Sequence, residues 1–315
     1  MGDEPTSSQS EKYHFQSSNR FLTISRLSSI EALRLGPIEY ILALEADVQS
    51  DPKNATAWLQ LGIKQQENEQ EEQAIAALKM AISLDPKLLN AWLSLSVSYT
   101  NERRREEAYN ALKSWIENND KYKHILERQD LQVDDNDQHR FITGLFLEAA
   151  NIPDPGENLD PDVHIGLGIL YNMSKEFSKA IDCFKYALTK RPNDYVLWNK
   201  LGATLANAKQ PENAIDAYLS ALKINPLFIR AKFNLAITLV NLKRFKEAVQ
   251  NLLQALSLQA RNERGLEKDD SISGDEMSSN IWNTLRMCLR FLNRTDLIPK
   301  CDARNLNGFR QDFEF

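Results

Sequence analysis

The chain has 315 residues, 42% of them apolar, with only 11 glycines and a formal net charge of −6. This balance favours helix, supplies enough apolar material for a continuous core, and offers no broad basic surface to nucleic acid or an anionic membrane. No apolar run approaches the roughly 18 residues of a spanning helix, and Cys183, Cys288 and Cys301, an odd set without CxxC spacing, indicate neither a disulfide framework nor a zinc site.

In chain order, residues 1–20 (MGDEPTSSQSEKYHFQSSNR) lack the positive and apolar regions of a signal peptide and read as a disordered lead. A period of 34 residues then takes over. Trp58 and Trp92 are 34 apart, as are Ala74 and Ala108, and Pro52 and Pro86. The same interval separates Gly168 from Gly202, Pro192 from Pro226, and each pair along Ala180, Ala214 and Ala248; between the two groups the phase slips by four residues. With the proline at position 32 of each unit, 21–122 holds units one to three. Residues 123–160 hold a distorted, Asp/Asn/Pro-rich fourth unit that reads as a hinge, and 161–262 holds units five to seven. The charged, Ser/Gly-containing stretch at 263–279 reads as a flexible loop. Residues 280–315 read as C-terminal helices, one from Asn280 and a second around 295–309.

The clearest unit, 193–226, contains W-x-x-L-G, then A-x-x-x-Y, then Ala221 and Pro226. This is the tetratricopeptide pattern. Trp198 and Leu201 share a face of the unit's first helix, helix A. Gly202 lets the second, helix B, approach closely, and Pro226 ends helix B. The expected fold is therefore all-α, a tetratricopeptide-repeat superhelix of about seven repeats with the fourth distorted, closed by a C-terminal helical bundle.

Stacked helix pairs of this kind form a concave groove lined by helix A. Asparagine recurs at position 13 of three units (Asn101, Asn207, Asn241), with Asn199 and Asn234 earlier in helix A of units six and seven. Asn199, Ala203 and Asn207 share one helical face, as do Arg230, Asn234 and Asn241, and Val97, Thr100 and Asn101. An amide both donates and accepts, so such a face can pair with the backbone of an extended peptide. Lys200 and Arg230 add cations suited to a carboxylate, and Glu102 could face a basic side chain. The competing readings are a helix cap for position 13 and an ordinary solvated face for the rest.

No catalytic constellation or cofactor motif is legible. His14, His124, His139 and His164 are scattered, and the glycines of GLG at 166–168 serve repeat packing rather than a dinucleotide. The run Asp134 to Asp137 lacks the glycine and distal glutamate of a calcium loop. Neither an enzyme nor a bound cofactor is expected. An adaptor for acidic chaperone tails would need more cations on helix A than this face carries, and a general scaffold would use the outer face.

The stretches AWLQLGIKQQENEQEEQAIAAL (57–78), VSYTNE (97–102), LWNKLGATLANAKQPENAIDAYLSAL (197–222) and IRAKFNLAITLVNLKRFKEAV (229–249) carry a more specific resemblance, joined by NIWNTLR (280–286) and DARNL (302–306). Together they resemble the C-terminal domain of the peroxisomal import receptors for type 1 targeting signals, over about 21–306. The resemblance implies a seven-repeat ring that binds the C-terminal Ser-Lys-Leu-type tripeptide of peroxisomal matrix proteins. It implies ligand contacts at Asn101, Asn199, Asn207, Arg230, Asn234 and Asn241, a carboxylate partner in Lys200, a leucine pocket shaped by Val97, Thr100 and Ala203, and a lysine sensor in Glu102. It further implies a cytoplasmic receptor cycling to the peroxisomal membrane. There it would meet docking proteins through an N-terminal region with aromatic motifs, which this chain does not contain.

Overall fold

A computed structural model describes residues 12–16, 19–23, 35–127, 138–152, 159–260 and 275–315. Among the described residues every regular element is helical, and no helix is long and apolar enough to cross a membrane. Helix α1 (Pro37–Ser50) completes repeat one. Repeat two is α2 (Ala55–Glu67) with α3 (Glu71–Leu84), and repeat three is α4 (Leu89–Asn101) with α5 (Arg105–Glu117). Among the described residues, repeat four holds one α-helix, α6 (Gln138–Ala150), after a 3-10 turn at Lys123–Ile125. Repeats five to seven are α7 (Pro161–Met173) with α8 (Phe177–Lys190), α9 (Tyr195–Asn207) with α10 (Pro211–Ile224), and α11 (Ile229–Asn241) with α12 (Phe245–Ala260). Helix α13 (Asp275–Phe291) packs on α12, and the short α14 (Ile298–Asp302) follows.

The 34-residue landmarks have local physical causes. Asn54 and Asp194 cap α2 and α9 by accepting from the backbone N–H of Ala57 and Leu197. The indole N–H of Trp58, Trp92 and Trp198 donates to the carbonyl of Pro52, Pro86 and Pro192, at 3.0, 2.9 and 2.9 Å. Each such bond ties the start of a helix A to the loop that ends the preceding helix B. A Cβ on Gly202 would lie 2.6 Å from the Tyr218 ring, and one on Gly168 2.5 Å from Phe184, so helices A and B meet where only glycine fits. Gly166 receives Phe146 of α6 in the same manner and joins the distorted fourth repeat to the fifth. The main buried core consequently runs from Ile41 to Phe309.

Each A–B turn is closed by a residue in the left-handed region: Glu69, Arg103, Lys175, Lys209 and Lys243, with φ between 59° and 65°. The following N–H reaches five residues back, as in Arg104 to Tyr99 (2.8 Å) and Arg244 to Leu239 (2.8 Å). The cap therefore falls two residues beyond Asn101, Asn207 and Asn241, each the last residue of its helix. The capping reading of position 13 does not hold.

Three boundaries differ from expectation. Within the lead expected to be disordered, Tyr13 to Gln16 pack on repeats one and two. The Tyr13 hydroxyl donates to Glu45 (2.7 Å) and accepts from Gln65 (2.6 Å), its ring meets Trp58, and the Gln16 N–H donates to Glu45. Glu45, 1% exposed, needs those donors, because burial raises its pKa and the bonds offset the cost of holding it there. The C-terminal helix starts at Asp275 rather than Asn280, and the second C-terminal helix is broken into 3-10 turns on either side of α14. Residues 263–274 of the expected loop and the Asp134 to Asp137 run lie outside the described residues.

Candidate functional site

The ends of the array come together. Helix α12 touches α1, and polar contacts bridge repeats two and six to seven. Lys64 and Glu67, at the end of α2, both hold the Tyr195 hydroxyl of α9, at 2.8 and 2.6 Å. Arg230, at the start of α11, reaches Glu69 (2.8 Å) and Glu71 (2.6 Å) across the α2–α3 turn. These pairs span more than a hundred residues of sequence and close the superhelix around a cavity of about 410 Å³.

Nine of the eleven sequence-predicted residues line that cavity. Val97, Thr100, Asn101 and Glu102 come from the end of α4, Asn199, Lys200 and Ala203 from α9, and Arg230 and Asn234 from α11. They converge because each helix A turns its non-core face inward, the small Ala203 leaving room beside Lys200. Asn207 and Asn241 are exposed at the last residues of α9 and α11 and do not line the cavity.

The amides are held in place. The Asn234 Nδ2–H donates to the Asn199 Oδ1 (3.2 Å), and the Asn101 Nδ2–H donates to the Glu71 Oε1 (2.5 Å). Asn199 is buried at 6% exposure and Arg230 at 9%. Gln66, also on the cavity wall, is fixed by donating to the Ser98 hydroxyl and the Ser94 carbonyl. The hydrogen-bonding lining is thus preorganised, which lowers the ordering cost of a ligand.

The two cations are not equivalent, contrary to the expectation from sequence. Burial pulls the Arg230 pKa down, but Glu69 and Glu71 outweigh it and hold the guanidinium charged. Its charge is spent on two carboxylates. Burial raises the Glu69 pKa against the pull of Arg230, so this cluster sits in a strongly desolvated place. The Lys200 ammonium makes no hydrogen bond or ion pair among the described residues, and burial lowers its pKa. It is a half-buried, uncommitted cation facing the cavity.

Sequence reasoning missed Glu67, Glu69, Glu71, Asn172 and Phe228. Asn172 sits one residue before the end of α7, and its Oδ1 is buried without a hydrogen-bond partner among the described residues. The quoted ENEQE stretch contained the three glutamates, but nothing local shows that a turn between helices reaches across a ring.

Comparison with known proteins supplies the family. A tetratricopeptide-repeat family model matches residues 195–226 and 229–262. The peroxisomal targeting signal 1 receptor of Dictyostelium discoideum is 47% identical over 87% of this chain and 41% of its own length. The PEX5-related protein of Rattus norvegicus is 41% identical over 99% of this chain and 53% of its own, and the peroxisomal targeting signal receptor of Yarrowia lipolytica 40% identical over 96% and 51%. The chain belongs to the peroxisomal targeting signal 1 receptor family. It spans about half the length of the curated relatives it matches. Within this receptor family frame, the cavity walls come from repeats two, three, five, six and seven, and Asn280 of α13 joins them.

Proposed function

We propose that this chain is the cargo-reading module of a peroxisomal targeting signal receptor and binds the C-terminal Ser-Lys-Leu-type tripeptide of peroxisomal matrix proteins. The observation that carries the reading is the convergence of three amides, Asn101, Asn199 and Asn234, on one cavity beside the uncommitted Lys200. The ligand carboxylate meets Lys200, which has no ion pair among the described residues. The amides pair with the ligand backbone, and Val97, Thr100 and Ala203 border its final side chain. Hydrogen bonds net about 1 kcal/mol each and those to a charged group about 1.5–3. Set against association costs of several kcal/mol, they give an affinity of about −8 to −10 kcal/mol, roughly micromolar to tens of nanomolar.

The module acts by binding rather than catalysis. It works in the cytoplasm and at the peroxisomal membrane, where docking proteins would engage a part of the receptor outside this chain. A fluorescence-polarisation titration tests the reading. A labelled peptide ending in Ser-Lys-Leu binds, and its C-terminal amide, which has no charge for Lys200, binds roughly 100-fold more weakly or not at all. Equal binding of acid and amide overturns the assignment.

A further inference from the structure

Residues 12–16 and 19–23 precede α1 and tie repeat one to repeat two. The Tyr13 and Phe15 rings both meet Trp58 of α2, with centroids 5.7 and 5.9 Å away. The His14 N–H donates to Gln73 of α3 (3.1 Å), the Asn19 Nδ2–H donates to the Leu42 carbonyl of α1 (2.7 Å), and Phe21 is buried against Leu42, Ala43 and Ala46. Glu45 of α1 makes this tie consequential. It is 1% exposed, and among the described residues both of its carboxylate oxygens are matched from this segment, Oε1 by the Tyr13 hydroxyl (2.7 Å) and Oε2 by the Gln16 N–H (3.2 Å). A buried carboxylate without donors is costly, so α1 holds Glu45 inward only while the segment is docked.

Helix α1 also carries one side of the seam that closes the ring. The Lys64 ammonium lies 5.7 Å from the ring centroid of Tyr40, on α1, and 5.5 Å from that of Tyr195, on α9. It donates to the Tyr195 hydroxyl at 2.8 Å and pairs with Glu67 at 2.8 Å. Lys64 is thus clasped between a ring of repeat one and a ring of repeat six, and α1 touches α12 beside it. We propose that residues 12–16 and 19–23 are a strap that controls this seam. Docked, the strap fixes α1 and, through Tyr40 and Lys64, holds the ring shut at Tyr195. Released, it frees α1 to turn Glu45 toward water, and the seam loosens. The strap thereby governs the part of the cavity wall that Glu67 supplies, whatever the cavity holds, and its test reads the ring directly.

Hydrogen exchange read by mass spectrometry compares the wild-type chain with Tyr13→Phe, Glu45→Leu and the double variant. Tyr13→Phe keeps an aromatic ring for Trp58 and removes the donor to Glu45. Exchange in α1 then rises by roughly ten-fold, the lower end expected for losing a hydrogen bond to a charged group. Exchange over 197–204, across the seam in α9, rises with it, while α7 and α8 of repeat five keep their rates. Glu45→Leu leaves an apolar side chain that stays buried without donors, so adding Tyr13→Phe to it changes exchange over 197–204 by less than about two-fold. If circular dichroism shows that Glu45→Leu does not fold, the neutral Glu45→Gln takes its place. Unchanged exchange in α1, or a rise there that does not reach 197–204, overturns the proposal. So does an equal rise in every helix, which is a loss of global stability rather than the release of a strap. An undiminished effect of Tyr13→Phe on top of Glu45→Leu overturns it as well, because the carboxylate is then not the link.

Discussion

Repeats two and three turn carboxylates toward the cavity; repeats six and seven turn amides and cations toward it. Glu67, Glu69 and Glu71 sit on one side, and Asn199, Lys200, Arg230 and Asn234 on the other. The halves are complementary, and that complementarity closes the ring. Closure also consumes charge. Arg230 is neutralised by its partners across the gap, which leaves Lys200, among the described residues of the cavity wall, as the cation without an ion pair. A cation on the correct helix face is therefore not yet a binding group, because its availability depends on what the far side of the ring presents.

The largest way to break this comparison is Arg230→Ala. It strands the buried Glu71 carboxylate and the half-buried Glu69, and the cost of leaving a buried charge uncompensated is about 3–5 kcal/mol, read as a lower melting temperature by calorimetry. An unchanged melting temperature would show that the contact does not hold the halves together. Next comes Lys200→Met. Peptide affinity falls by roughly 10- to 150-fold, equivalent to about 1.5–3 kcal/mol, while thermal stability stays level or rises because a half-buried cation without an anion has gone. The pH dependence has a definite sign. Burial places the Lys200 pKa below the 10.5 of an ordinary lysine, so its charge is lost as pH rises through that lowered value. Peptide affinity measured by polarisation should accordingly decline before pH 10.5.

Tyr195→Phe removes the hydroxyl shared by Lys64 and Glu67 and costs about 1 kcal/mol of stability, measured by thermal melting. It tests whether the second bridge matters apart from the first. The smallest effect belongs to Asn207→Ala. The side chain is exposed and off the cavity wall, so affinity should change by less than about two-fold, within the roughly ±0.5 kcal/mol usual for surface substitutions. A ten-fold loss would restore Asn207 to the binding face.

Much of the fold was legible because its causes are local. Trp58 and Pro52 stand six residues apart and are joined by one hydrogen bond. Gly202 is small because Tyr218, sixteen residues later, needs the space. A period of 34 registers such contacts wherever they recur. The inward face of helix A was partly legible for the same reason, since helical spacing placed Asn199 and Ala203 together, although Asn207 of the same ladder lies off the cavity wall. The packed Tyr13 was missed because one aromatic side chain with a polar tip does not change the composition of a twenty-residue polar lead. Glu69 and Glu71 were missed because their partner, Arg230, lies some 160 residues away.

The sequence by itself determined the repeat, its helix pairs and the amide-bearing face, because those follow from contacts within a unit and with its neighbour. Only the tertiary structure decided which residues share the cavity and which cation remains free. Small rotations from repeat to repeat accumulate until repeat two meets repeat seven, and the electrostatics of that meeting belong to no single unit.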